Sequence, residues 1–144
     1  MKNDVIHVDE SILFLLKPKG QICYLEYDWT LRQGLEKMRY YGYTALPVIN
    51  KNGHYAGAVT EGDFLWHMLE EEKFSMQSQE QYHISDIINP DLYPAISASA
   101  DVNKLIEKIF NQNFVPVVDD LGIFMGIITR QDVLQYLVNK NKQI

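Results

Sequence analysis

Apolar and polar positions follow each other along the chain in an order that occurs twice. Leu31, Leu35 and Met38 recur at i, i+4 and i+7, the spacing of one helix face, so a helix is predicted over residues 31–40 with Asp28 or Thr30 as its cap. Residues 45–50 form a short apolar run, Lys51-Asn52-Gly53 has turn chemistry, and residues 55–60 form a second apolar run. Together these predict a hairpin. Gly62 and Asp63 then open a helix through Phe64, Leu65, Met68 and Leu69, and residues 22–25 read as a strand ahead of the whole. The unit is strand, helix, strand, strand, helix. The same order returns at residues 95–97, 102–111, 115–118, 124–129 and 132–139.

The recurrence extends to residue identity. Pro47 and Pro116, Gly53 and Gly122, Gly57 and Gly126, Thr60 and Thr129, and Asp63 and Asp132 are each separated by 69 positions. Leu31, Leu35 and Met38 answer to Val102, Ile106 and Ile109 at 71, and Pro18 and Ile22 to Pro90 and Pro94 at 72. The chain is therefore two copies of one unit. Residues 1–74 are the first copy with its lead-in, 75–83 a polar link, and 84–144 the second copy with a C-terminal helix. The charges and amides of residues 70–83 read as a solvated helix end and a loop. An α/β or α+β fold is predicted, with helices on one sheet face. Each half alone is marginal in size, so the two are expected to pack together about a pseudo-two-fold axis.

Composition narrows the partners. At 144 residues and 47% hydrophobic, the chain can bury a core without staples. A net charge of −6 argues against a nucleic-acid backbone or an anionic membrane surface, and Lys140-Asn141-Lys142 is too small a cluster to reverse that. Cys23 is the only cysteine, which excludes an intrachain disulfide and a thiolate metal cage. The start, residues 1–10, breaks its apolar positions with acids, and the run 12–16 is too short for a signal core or a membrane span. A soluble, cytoplasmic protein is expected. His7, His54, His67 and His83 lack metal-ligand spacing, so no metal is expected. No nucleophile, base and orienting group can be assembled, and no P-loop, Rossmann or Gly-x-Ser-x-Gly pattern occurs, so no catalytic residues are assigned and the protein is expected not to be an enzyme.

The candidate chemistry lies in Gly57-Ala-Val-Thr-Glu-Gly-Asp63 and Gly126-Ile-Ile-Thr-Arg-Gln-Asp132. A strand running into a helix start leaves amide donors pointing outward, a threonine hydroxyl can donate to a phosphate or ribose oxygen, and an ionised aspartate can accept from both ribose hydroxyls. That combination suits a nucleotide. Thr-x-x-Asp before an apolar run is equally a capping box, and a duplicated fold duplicates its caps.

The repeated Leu/Val-Pro-Val, Gly and Gly-h-h-Thr-x-x-Asp-h-Leu pattern, with h apolar, resembles the tandem CBS-domain pair, or Bateman module, over about residues 13–137. Gly42-Tyr-Thr-Ala-Leu-Pro47 and Asn113-Phe-Val-Pro116 are similar to small stand-alone CBS proteins of Gram-positive bacteria, some of which bind cyclic di-AMP. The resemblance implies two β-α-β-β-α units packed sheet to sheet, with two clefts that take adenosine-containing ligands. One cleft would combine Gln21, Ile22, Cys23, Tyr43, Thr44 and Ala45 with Thr129, Arg130 and Asp132. The other would combine Tyr93, Pro94, Ala95, Asn113 and Phe114 with Thr60, Glu61 and Asp63. Arg130 offers a phosphate fork where its counterpart Glu61 would repel, so the first cleft is the expected phosphate site. The function so implied is a sensor with no obligatory cofactor. Its regulatory ligand is an adenine nucleotide (AMP, ADP, ATP or cyclic di-AMP), and it signals in trans to a protein partner as a homodimer packed through helices. The alternative is a ligand-free dimerisation or scaffold module whose motifs only cap helices.

Overall fold

The computed structural model describes residues 11–142. The acid-interrupted start, with His7, lies outside the described residues. The elements are β1 (Lys17–Pro18), β2 (Leu25–Glu26), α1 (Leu31–Tyr41), β3 (Ala45–Ile49), β4 (Tyr55–Thr60), α2 (Glu61–Glu71), α3 (Ile84–Ile87), β5 (Ile96–Ser97), α4 (Val102–Ile109), β6 (Phe114–Val118), β7 (Phe124–Thr129) and α5 (Arg130–Lys142). They form a mixed α/β architecture with two sheets, β2-β3-β4 and β1-β7-β6-β5. In each, the first strand of the copy runs parallel to the next and the hairpin is antiparallel.

Compact units do not follow the copies in chain order. One unit is residues 23–94; the other joins residues 11–22 to residues 95–142. The lead-in of each copy thus packs with the body of the other. In the 23–94 unit, Leu25, Leu31, Met38, Leu46, Val48, Val59, Phe64 and Ile84 form the core. In the other, Ile12, Ile96, Val102, Leu105, Ile109, Val115, Val117, Ile128 and Val133 do so. Ile12 and Ile84, 72 positions apart, are the lead-in residues of these two cores.

The lead-ins are admitted by glycine. Pro18 pairs with Gly126 on β7, and Asn89 exchanges backbone bonds with Ala58 beside Gly57. Gly57 and Gly126 have φ of 140° and 151°, where an L side chain is strained. A Cβ at Gly126 would run into the Lys17 carbonyl, and one at Gly57 into that of Asn89. The hairpin turns repeat in the same detail. Asn50 Oδ1 accepts from the amides of Asn52 and His54 at 2.9 and 3.0 Å, and Asp119 Oδ1 accepts from those of Leu121 and Ile123 at 2.8 and 3.0 Å. This is local side-chain bonding that fixes a turn.

Several sequence expectations need correction. Residues 22–25 are not one strand: Lys19–Gln21 is a 3-10 turn and only Leu25–Glu26 pairs, against Val48 and Ile49. Thr30, not Asp28, caps α1, in a reciprocal box with Gln33. The link is more ordered than its polarity suggests. Gln79, 1% exposed, donates to the carbonyls of Lys73 and Ser75, and Glu80 pairs with Arg32 on α1 at 2.6 Å. Element ends shift as well: α4 stops at Ile109, α2 starts at Glu61, α5 runs from Arg130 to Lys142, and α1, β3, β5 and β6 each differ by one residue at one end.

Candidate functional site

The two strand-to-helix junctions use the same residues and hold them differently. At the head of α2, Thr60 Oγ1 accepts from the Asp63 amide at 3.2 Å and Asp63 Oδ2 accepts from the Thr60 amide at 2.8 Å. That closed box satisfies two backbone donors and engages the carboxylate. At the head of α5, the Asp132 amide donates to Thr129 Oγ1 at 3.1 Å, while Asp132 Oδ2 lies 3.5 Å from Lys17 Nζ. Both partners of this ion pair are well exposed, 50% for Lys17 and 36% for Asp132. A reciprocal capping box is therefore complete at Thr60 and Asp63. At Thr129 and Asp132 the carboxylate is turned to a cation and to solvent, where it can accept from a diol.

Arg130 and Asp132 leave α5 in different directions, as residues two apart on a helix do. Arg130 Nε donates to the Ile109 carbonyl at 2.8 Å, at the negative end of α4. The same side chain lines an open groove of about 490 Å³ with Asn113, Thr129, Leu134, Gln135 and Val138. Glu61, its counterpart, lines a groove of about 420 Å³ with Leu35, Met38, Arg39, Tyr43 and Leu65.

Of the remaining candidates, Gln21 and Ile22 share a unit with Thr129, Arg130 and Asp132; Cys23, Tyr43, Thr44, Ala45, Thr60 and Asp63 belong to the other. Cys23 is a buried free thiol whose pKa is raised by desolvation, with Lys37 pulling weakly the other way. Ala45 pairs with Thr60, and the Thr44 carbonyl accepts from the Glu61 amide at 3.0 Å. The second copy repeats this with the Arg130 amide and the Asn113 carbonyl at 2.8 Å. Tyr43 is half-exposed beside Tyr41, their rings nearly parallel at 6.2 Å.

Lys17 is the residue that the motif search passed over. Its signal lay in the repeat itself: 17 + 72 = 89, so the position is Lys in one lead-in and Asn in the other. Among the described residues no group of three or more acidic, His or Cys side chains could hold a metal, and no helix is long and apolar enough to cross a membrane.

Comparison with known proteins adds the family context. The family model described as CBS domain matches twice, at residues 18–70 and 84–139. The magnesium and cobalt efflux protein CorC of Buchnera aphidicola is 24% identical over 142 residues, covering 96% of this chain and 47% of that protein. Cyclic di-AMP receptor B of Bacillus subtilis is 24% identical over 124 residues, covering 86% of this chain and 82% of that one. The chain spans about half the length of the first curated relatives it matches, 47% and 52%. The crystal structure of CbpB in complex with c-di-AMP has the same fold, with a TM-score of 0.85 at 20% identity, covering 95% of this chain and 89% of that one.

Proposed function

The chain belongs to the CBS domain family, and on that premise we propose that it is a regulatory module which binds an adenine nucleotide and passes occupancy to a protein partner. Cyclic di-AMP is the first candidate ligand. Its support is a relative named for that nucleotide and a solved neighbour of the same fold that holds it. The observation that carries the reading is the Asp132 carboxylate, which stands outside the helix cap beside the Thr129 hydroxyl. In this reading Asp132 accepts from ribose hydroxyls, Thr129 donates to a ribose or phosphate oxygen, and the turn ending at Gln21 and Ile22 adds backbone contacts. Thr60 and Asp63 serve α2 as its cap, while Cys23 and Ala45 serve the core and the hairpin. A partner that prefers the liganded form then feels the nucleotide by linkage, with no chemistry at the site.

The closed box at Thr60 and Asp63 favours a second reading, a ligand-free dimerisation module. A homodimer belongs to both readings. Its support is the outward apolar surface of α2 and α5. Leu65, Trp66 and Leu69 on α2 and Leu134 and Val138 on α5 are all exposed, and Leu65 and Leu134 occupy matching positions of the repeat.

A thermal-shift panel of AMP, ADP, ATP and cyclic di-AMP separates the two. A ligand at 100 times its Kd adds about 2.7 kcal/mol, which raises the midpoint of a chain of this size by roughly 5–10 °C. Such a rise with at least one nucleotide is expected. A flat panel hands the function to the dimerisation module.

A further inference from the structure

The duplication supplies an internal control for charge at the site. Lys17 faces Ile127 across the β1–β7 ladder, and Asn89 faces Ala58 in the other unit. Ile127 and Ala58 are 69 apart, so Lys17 and Asn89 hold one structural position in two copies. There the likeness ends. Asn89 is neutral, and its Oδ1 is taken by the Asp91 amide at 3.0 Å. Lys17 is cationic, and its Nζ sits 3.5 Å from Asp132 Oδ2. The aspartates differ in step, because Asp63 is closed into its cap.

On the nucleotide reading above, we infer that Lys17 is the phosphate-selecting residue of the Thr129–Asp132 site. The Lys17 backbone is held by its ladder with β7, so the ammonium swings on a fixed root. Its separation from the carboxylate is longer than a good charge-assisted hydrogen bond, and an exposed pair of this kind contributes little to stability. Giving it up therefore costs little. A nucleotide phosphate offers the ammonium several acceptor oxygens at once, and the departing lysine leaves Asp132 both oxygens for the ribose diol. One exchange thus binds phosphate and frees the diol acceptor. A neutral nucleoside gains only the second part and has to compete with Lys17 for the carboxylate. Arg130, moored to Ile109 on the far side of α5, does not face this carboxylate.

The test compares AMP, cyclic di-AMP and adenosine by isothermal titration on the full chain and on Lys17→Ala and Lys17→Arg. Lys17→Ala is expected to weaken both phosphate-bearing ligands by about ten- to a hundredfold. Adenosine should be unchanged or slightly tighter, and Lys17→Arg should restore most of the loss. Rising salt should weaken AMP binding to the parent and leave Lys17→Ala much less sensitive. If the parent binds the nucleotides and Lys17→Ala loses AMP and adenosine alike, or loses neither, Lys17 does not select phosphate and the inference falls alone. If the parent binds none of the three ligands, the nucleotide reading falls and takes the inference with it.

Discussion

Thr60 and Thr129 stand at the same step of the repeat, and what separates them is the partner of the aspartate three residues on. The sequence carried the motif without this difference, because Thr-x-x-Asp is compatible with both a cap and a binding site. The contact that distinguishes the two junctions, Lys17 with Asp132, spans more than a hundred positions and is invisible to local pattern. Cys23 is buried because an isolated cysteine in an apolar run packs as a small hydrophobe. Two consequences can be measured without ligand. Thr60→Ala is expected to cost about 0.5–2 kcal/mol in urea unfolding through the lost cap. Asp132→Ala is expected to cost under about 1 kcal/mol, because it removes only an exposed ion pair. A larger loss for Asp132→Ala than for Thr60→Ala would mean that the capping roles are reversed.

Elements were read well wherever both periodicity and punctuation were present. Strands β4 and β7 fall at the expected residues because a glycine-bearing turn precedes each and a threonine cap ends it. Residues 22–25 misled because an apolar run of four gives no periodicity, and only Leu25–Glu26 finds a partner strand. The link misled in the other direction: Gln79 is a polar residue, yet it is buried with its amide nitrogen bonded to the turn around it and its Oε1 without a partner. The exchange of lead-ins was out of reach, since it depends on which body each short segment joins. Gly126→Ala tests it, by setting a Cβ against the Lys17 carbonyl at a φ of 151°. A loss of at least about 1–3 kcal/mol is expected from the backbone conformation alone. Gly20→Ala, with nothing near its Cβ, is the neutral control. Equal behaviour of the two variants would show that β1 does not lie against β7.

At the scale of the whole molecule, the duplicated architecture was legible from the 69-residue register and the CBS resemblance from the motif residues repeated in it, and the family model matches both copies. Assembly and ligand were not legible from residue spacing, because each depends on a surface rather than a pattern. For assembly, Leu134→Glu puts a charge on the exposed apolar face of α5. The proposed dimer predicts that the parent sediments as a dimer and that the variant moves toward monomer; a monomeric parent would remove the dimer, and an unchanged dimer would place the interface elsewhere. For the ligand, the decisive measurement is isothermal titration of cyclic di-AMP into the parent, Asp132→Asn and Asp63→Asn. Binding by the parent is expected, weakened about tenfold or more in Asp132→Asn and nearly unchanged in Asp63→Asn, whose carboxylate belongs to the cap. No heat with the parent, or a greater loss in Asp63→Asn than in Asp132→Asn, would contradict a nucleotide site at Thr129 and Asp132.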